Sequence, residues 1–414
     1  MIPALLLAVA ANASAGLADP SRPAGETFTI GAYYSMPQLE PKDNFSWDYA
    51  FMDMARIGCN RIVVGGSCWQ DGWAAIRNWG MKGITSYHWL NSYPGEGKWD
   101  RSTLEGLNRV QKRDVDNLVW GGKSVGGTII GHIVTDEPEC DASTITGDQI
   151  EFLRVWSDVY HEMNPGRDAW VNHCDPPWYD FNENQASCSA APTIAPNSSR
   201  IIERRKAARE IGLDHFTVVA LQGRLSDWGA NRCDRIEGWS LGPCSEAVFD
   251  WLDSRTNQED AYEMMITAYA WGSPGFHPYQ FNKHRGYSIV DIDGNDNAGI
   301  RAGFSAAAHD LRRAHGWPGV ELFHAGQPFD DRGRYPAGDL ALTAEAVSDS
   351  GTIAKVIFGK STNGGSNWEA TEDDTAPYSA TFPAEAGQTV IFRARAVDSE
   401  GRKSIFAANM IHVK

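Results

Sequence analysis

Apolar positions along the first three quarters of the chain switch repeatedly between two periods. Short runs rich in Val, Ile and aromatic residues predict strands at 28–34, 61–66, 83–89, 129–135, 169–174, 216–222, 275–281 and 320–324. Helical patterns fall between them, at 44–57, 147–163, 199–211, 245–271 and 299–315; the second carries Ile150, Leu153, Val155 and Val159. Eight strands alternating with helices predict a parallel sheet closed into a (β/α)8 TIM barrel. From about residue 340 the helical period disappears. Short alternating strands at 340–347, 353–358, 378–382, 389–396 and 405–412, separated by Asp/Gly/Ser turns, predict an all-β immunoglobulin-like sandwich. The expected class is therefore α/β, with a barrel over 26–335 and a C-terminal sandwich over 338–414.

The 414 residues fit a barrel plus one small module, and 42% hydrophobic content supports a large core. Acidic residues outnumber basic ones 53 to 37, for a formal charge of −16, which argues against a nucleic-acid partner. A local basic pocket for an anionic polymer remains compatible with that surface. Residues 1–18 form a short apolar run with small residues near Ala13 and Ala15, similar to a secretory signal peptide although no basic residue opens it. The run is too short to span a bilayer and no other stretch is long enough, so no membrane insertion is expected. The expected location is secreted or periplasmic, and the expected state is a monomer.

Seven Cys agree with export. Cys174 with Cys188, and Cys233 with Cys244, are each separated by a Pro- or Gly-containing loop that allows a local bridge. Cys59 and Cys68 flank the 61–66 strand, and nine extended residues span about 30 Å, beyond disulfide reach.

The candidate chemistry centres on Gly-His-Ile-Val-Thr-Asp-Glu-Pro, residues 131–138. A β-branched strand ends at Asp136 and Glu137, and Pro138 stops the ladder because it has no N–H to donate. The carboxyl end of a buried parallel strand is where barrel enzymes keep reactive groups. Glycosidic cleavage needs an acid for the leaving oxygen and a second carboxylate as nucleophile or base. Glu137 is the expected acid, with Asp136 raising its pKa or holding substrate. The second carboxylate is sought at Asp175, in Asn-His-Cys-Asp-Pro-Pro-Trp (172–178), or in the long loop 223–244, which holds Asp227 and Glu237.

Sixteen Trp supply flat apolar faces suited to sugar rings. Trp69, Trp73, Trp89, Trp178, Trp228 and Trp239 fall in expected loops or strand ends and are the groove candidates. His88, His132, His173 and His277 fall on expected strands, and Tyr279 follows the last of them. These histidines would bond sugar hydroxyls or, if protonated, an anionic substituent. Arg224, Arg232 and Arg235 would bind sulfate or carboxylate groups by a bidentate fork, pointing to a sulfated or uronic polymer such as a fucan.

Two resemblances follow from these residues. Asp136-Glu137-Pro138 after the fourth strand, with 261–279 (Ala-Tyr-Glu-Met-Met-Ile-Thr-Ala-Tyr-Ala-Trp-Gly-Ser-Pro-Gly-Phe-His-Pro-Tyr), resembles the broad clan of retaining β-glycosidases over about two thirds of the barrel. The resemblance implies a Glu nucleophile at the end of strand seven, and the expected seventh strand at 275–281 has none. The second resemblance rests on Lys355-Val356-Ile357-Phe358, Asp374-Thr375-Ala376-Pro377-Tyr378-Ser379 and Arg393-Ala394-Arg395-Ala396-Val397-Asp398-Ser399-Glu400-Gly401. These are similar to bacterial immunoglobulin-like modules appended to secreted carbohydrate-active enzymes. That similarity implies a spacer or adhesion role.

No Cys–His spacing suits zinc. The Asp/Asn run 291–297 has its Gly in the fourth place, against the sixth in an EF-hand calcium loop, and no nucleophile elbow, phosphate cradle or dinucleotide fingerprint is present. No cofactor or metal is expected. The expected activity is hydrolysis within a polysaccharide. The competing readings are a non-catalytic glycan-binding or adhesion protein, and a polysaccharide lyase or esterase on the same scaffold.

Overall fold

The β-branched runs become strands because such side chains pack well on a pleated surface and have little rotamer freedom to lose there. The computed structural model of the chain describes residues 28–31, 33–35, 47–65, 70–86, 93–136, 146–173, 184–187, 216–221, 258–270, 272–273, 275–279, 298–365 and 367–414. In chain order the first strands are β1 (Thr29–Ile30), β2 (Tyr33–Ser35), β3 (Arg61–Gly65), β4 (Lys82–Ser86), β5 (Val119–Trp120), β6 (Lys123–Ser124), β7 (Ile129–Asp136), β8 (Asp168–His173), β9 (Asn184–Ser187), β10 (Phe216–Leu221) and β11 (Gly275–Tyr279). The helices are α1 (Trp47–Arg56), α2 (Gln70–Asn78), α3 (Arg101–Asp116), α4 (Gly147–Met163), α5 (Gln258–Ala270) and α6 (Ala298–Ala314).

Two compact units emerge. The first takes its members from Met1–Leu39, Arg61–Cys68 and Lys82–Ala307, the second from Glu40–Asn60, Trp69–Met81 and Ala308–Lys414.

The first unit is a nine-stranded sheet in the order β1-β11-β10-β9-β8-β7-β4-β3-β2. Every pairing in it is parallel. The two strands at its ends, β1 and β2, are consecutive in the chain and separated only by Gly31 and Ala32. Alternation along β8 shows how the sheet is buried on both faces. Trp170 joins Val63, Ile84 and Ile133 in one cluster. Its neighbour Ala169 joins Leu104 of α3 and Phe152, Leu153, Trp156, Val159 and Tyr160 of α4 in another. The two helices start on side-chain caps: Asp100 accepts from the Thr103 N–H at 2.7 Å, and Thr146 Oγ1 accepts from the Gln149 N–H at 3.2 Å.

The second unit holds α1, α2 and two β-sheets. Its strands are β12 (Gly319–His324), β13 (Gln327–Pro328), β14 (Arg334–Tyr335), β15 (Gly338–Val347), β16 (Ile353–Ser361), β17 (Glu369–Asp373), β18 (Tyr378–Ala384), β19 (Thr389–Asp398) and β20 (Ala407–Val413). They form the sheets β13-β12-β15-β18 and β14-β20-β19-β16-β17. One core joins them: Leu340, Leu342 and Phe382 come from the first sheet, and Phe358, Val390, Phe392 and Ile411 from the second.

The structure corrects the expected pattern in four places. The strand at 320–324 exists, but as β12 it pairs antiparallel with β15 and lies in the sandwich. The four residues Asn-Gln-Ala-Ser of β9, unmarked by any apolar run, pair with both β8 and β10. Counted from β2, β10 and β11 therefore hold the seventh and eighth places in the sheet, one later than expected. Helices α2 and α3 were also unmarked. On α3 the buried residues are only Leu104, Asn108 and Val115, too sparse a stripe to set a helical period. Trp73, expected in a groove, is fully buried within α2. Cys59 is a free, buried thiol whose pKa burial pushes up; Cys68, Cys174, Cys188, Cys233 and Cys244 lie outside the described residues.

Candidate active site

Because the strands of the first unit all run the same way, their carboxyl ends share one edge. The chain leaves that edge at Ser86 of β4, Asp136 of β7, His173 of β8, Leu221 of β10 and Tyr279 of β11. In sequence, His88 and Trp89 follow β4, and Glu137 follows β7. Asp175 and Trp178 follow β8; Asp227, Trp228, Arg232, Arg235, Glu237 and Trp239 follow β10. All of these lie outside the described residues, as do Trp69, Arg224 and the 291–297 run. Asp136, His173 and Tyr279 are described as strand-end backbone.

The structure brings the ends of β7 and β8 together. Asp136 is level with Asn172, on neighbouring strands spaced by about 4.8 Å. A register shift between Ile133 and Thr135 puts one extra residue into β7 just before the acidic pair. A bulge of this kind bends the strand and resets which face each later residue takes. Alternation counted from Ile133 in the sequence therefore does not carry through to Asp136.

Two expected sugar contacts sit in packed layers instead. His132 is 1% exposed and stacks on Trp156 (5.7 Å between centroids, 21°) and Tyr160 (5.9 Å, 23°) of α4. Gln111 Nε2 donates to its Nδ1 at 2.8 Å. Burial pulls the His132 pKa down to about 3, against a weaker upward pull from a hydrogen bond with the Thr85 backbone. His277, in β11, is fully buried beside Trp170, with 5.7 Å between ring centroids. Neither of its ring nitrogens has a hydrogen-bond partner among the described residues. Burial, and then the positive charge of Arg61, hold its pKa well below the ordinary value. Both rings are thus neutral near pH 7, so neither offers the cationic contact expected for an anionic substituent.

Arg61 completes this interior group. Its guanidinium lies over the Trp170 ring, 5.5 Å from the centroid. Burial lowers its pKa, and Asp168 opposes that. Arg61 and Asp168 are the first residues of β3 and β8, so they lie at the amino ends of the strands, away from the edge that carries Asp136.

A polar cluster that the sequence pattern did not mark flanks the acidic pair in the chain. Asp148, in the first turn of α4, accepts from the Tyr93 hydroxyl and from Trp99 Nε1, the latter at 3.0 Å. Tyr93 and Trp99 also pack their rings against Phe152. Burial first, then the Asp148 carboxylate, push the Tyr93 phenol up to about 12. This cluster ties the segment following β4 to the helix following β7. The only sequence signal for it was an acidic residue just inside a Thr-capped helix start. Among the described residues no group of His, Cys, Asp and Glu could hold a metal ion, and no helix is long and apolar enough to cross a membrane.

No protein-family profile and no curated protein sequence matches the chain. Solved structures similar to it include an FMN-binding β-glucuronidase from Facaelibacterium prausnitzii L2-6, at 10% identity and TM-score 0.47 over 94% of this chain and 57% of that one. A calcium-binding mutant of β-glucuronidase 2 from Bacteroides uniformis aligns at 12% identity and TM-score 0.46, over 94% of this chain and 45% of that one. An endo-β-1,4-mannanase from Thermotoga petrophila aligns at 11% identity and TM-score 0.41, over 94% and 98%. The chain spans about half the length of the two glucuronidases. Likeness at this level says nothing by itself about activity.

Proposed function

We propose that this chain is a secreted or periplasmic glycoside hydrolase that cleaves within a polysaccharide by paired-carboxylate catalysis. The observation that carries this reading is the position of Asp136. It ends β7 on the carboxyl edge of an all-parallel sheet, level with the end of β8, and Glu137 is the next residue in the chain. Closure of the sheet into a (β/α)8 barrel is supported by β1 and β2 being consecutive in the chain yet at opposite ends of the strand order. The Gly31 N–H between them donates to the Phe276 carbonyl of β11 at 3.0 Å.

In this reading Glu137 protonates the leaving oxygen and Asp136 raises its pKa or holds substrate. The corrected strand count favours Glu237 as the second carboxylate. With β9 in the sixth place, β10 is the seventh strand, and Glu237 follows it in the sequence. Asp175, which follows β8, is the other candidate. A separation of about 5 to 5.5 Å from Glu137 gives retention of configuration, and about 6.5 to 9.5 Å gives inversion. Trp89, Trp178, Trp228 and Trp239 would line an extended groove, with His88, His173 and Tyr279 bonding hydroxyls. Arg232 and Arg235 would select an anionic or sulfated glycan. Residues 1–18 as an export signal, an immunoglobulin-like assignment for the sandwich, and bridges at Cys174–Cys188 and Cys233–Cys244 belong to the same proposal.

The test is mass analysis of products from a panel of plant and marine polysaccharides, with wild type beside Glu137→Gln. The expected result is new oligosaccharides from wild type and a loss of about 10²- to 10⁴-fold in the variant. Binding without cleavage by both proteins would make the chain a glycan-binding protein. Ultraviolet-absorbing unsaturated ends would make it a lyase, and released acid an esterase.

A further inference from the structure

The sandwich presents a cationic and aromatic face on the side of its five-stranded sheet away from the core. Along β19, Val390, Phe392, Ala394 and Ala396 enter the core, and Arg393 and Arg395 alternate with them. The Arg393 guanidinium lies 3.6 Å from the Trp368 ring centroid, 5.0 Å from that of Phe406 and 5.4 Å from that of Trp79. Arg395 lies over Phe406 at 4.5 Å. Trp79, the residue after α2, is 2% exposed and meets Trp368 and Phe406 edge-on at 5.2 and 5.6 Å.

Hydrogen bonds fix the same junction. Arg393 Nη1 donates to the Asn78 carbonyl at 2.6 Å, and Asn78 Nδ2 donates to the Gly365 carbonyl at 2.9 Å. At α1, Arg56 bridges Asp53 at 2.7 Å and Asp331 at 2.8 Å, and Asp331 also accepts from the Met410 N–H at 3.0 Å. Burial lowers the Arg393 pKa to about 9, with Arg395 adding like-charge repulsion, and lowers that of Arg395 to about 10; both stay cationic at neutral pH.

We propose that this face is the permanent seat of the chain's own α1 and α2 segments, and that the sandwich is an obligate part of the fold with no polysaccharide-binding role on this face. Two observations beyond the contacts support it. Sugar stacking needs an open aromatic face, and one face of the half-buried Trp368 is covered by a guanidinium at van der Waals distance. The chain also passes between the two units five times, at 39/40, 60/61, 68/69, 81/82 and 307/308. An appended spacer is joined by one linker and leaves intact when that linker is cut. Here α1 and α2 lie in sequence between strands of the first unit.

The experiment uses the full chain. Amide hydrogen exchange is followed over residues 70–81 in wild type, Arg393→Met, Arg393→Lys, Trp368→Ala and Asn78→Ala. Retention on insoluble cellulose and mannan is measured alongside. Arg393→Met is expected to speed exchange over 70–81 by about tenfold, equivalent to about 1.4 kcal/mol. Arg393→Lys should not rescue it, because an ammonium lacks the planar face that stacks on Trp368. Trp368→Ala should speed exchange and leave polysaccharide retention as in wild type. Should Arg393→Met fail to fold, Asn78→Ala decides, with exchange expected to rise about threefold for one lost hydrogen bond. Unchanged exchange over 70–81 in the folded variants would overturn the proposal. So would loss of retention in Trp368→Ala at unchanged exchange. Neither readout uses catalysis, so the result stands apart from the hydrolase assignment.

Discussion

Replacing Gly31 by alanine tests the junction between β1 and β2, where the proposed closure of the parallel sheet would lie. A methyl group added at Gly31 would lie 1.8 Å from Cδ2 and 2.3 Å from Nε2 of His277. Ordinary carbon contacts lie at about 3.5 to 4.0 Å, so ring or strand must yield by more than about 1.5 Å. The ring has little freedom to do so: His277 is fully buried, with Trp170 beside it. The strand is held as well, through the bond from the Gly31 N–H to Phe276. Overpacking a core by a methyl group costs about 1–3 kcal/mol, and a clash against a buried ring belongs near the upper end. At about 2.1 cal/mol/K of unfolding entropy per residue, a loss of about 3 kcal/mol corresponds to a fall in Tm of roughly 3 to 4 °C for a chain of 414 residues. Thermal and urea unfolding of Gly31→Ala, His277→Ala and the double variant give the full cycle. The double variant is expected to recover at least about 1.5 kcal/mol relative to the sum of the singles, since removing the ring makes room for the methyl. Gly31→Ala within about 0.5 kcal/mol of wild type would refute the reasoning. A double variant no better than additive would show that Gly31 does not face His277.

Acid sensitivity should trace partly to His132. Its folded pKa of about 3 lies below the unfolded value of 6.5. The unfolded chain therefore takes up a proton that the folded one refuses, and stability is full above pH 6.5 and lost as pH falls toward 3. The expected loss between pH 7 and pH 4 is about 3 kcal/mol. His132→Phe should flatten the urea-unfolding profile by that amount; an unchanged slope would place the proton uptake elsewhere. Asp148→Ala removes the acceptor shared by Tyr93 and Trp99 and a first-turn charge, for an expected cost of about 1–3 kcal/mol in chemical denaturation. Equal stability with wild type would mean that the cluster closes without it. For the second carboxylate, Glu237→Gln is expected to reduce polysaccharide turnover as deeply as Glu137→Gln, and Asp175→Asn by less than about tenfold. The reverse order would return the role to Asp175.

The fold of the sandwich was largely legible in the sequence. Tyr378, Ala380, Phe382 and Ala384 alternate inward along β18 as their spacing requires, and β15, β16, β19 and β20 fall where the period of two placed them. The parallel strands β3, β4, β7, β8, β10 and β11 were legible for a similar reason. Each carries a short β-branched or aromatic core, such as Ile62, Val63 and Val64 in β3 and Trp170 and Val171 in β8, bounded by turn residues. That β7 ends at Asp136 followed from the β-branched run before it and from Pro138 two residues on.

Other features depend on pairings between distant residues, and those leave no local period. Asn184–Ser187 becomes a strand only because β8 and β10 lie on either side of it, and that one insertion shifts the count of every later strand. Whether 319–324 joins the parallel sheet or the sandwich is decided by its bonds to β15. His132 and Trp73 bear side chains suited to a sugar or to a core. Only the approach of α4 in the first case, and burial within α2's own unit in the second, assigned them to packing. Local spacing determines which segments can bury a face; contact across the fold decides which neighbour buries it.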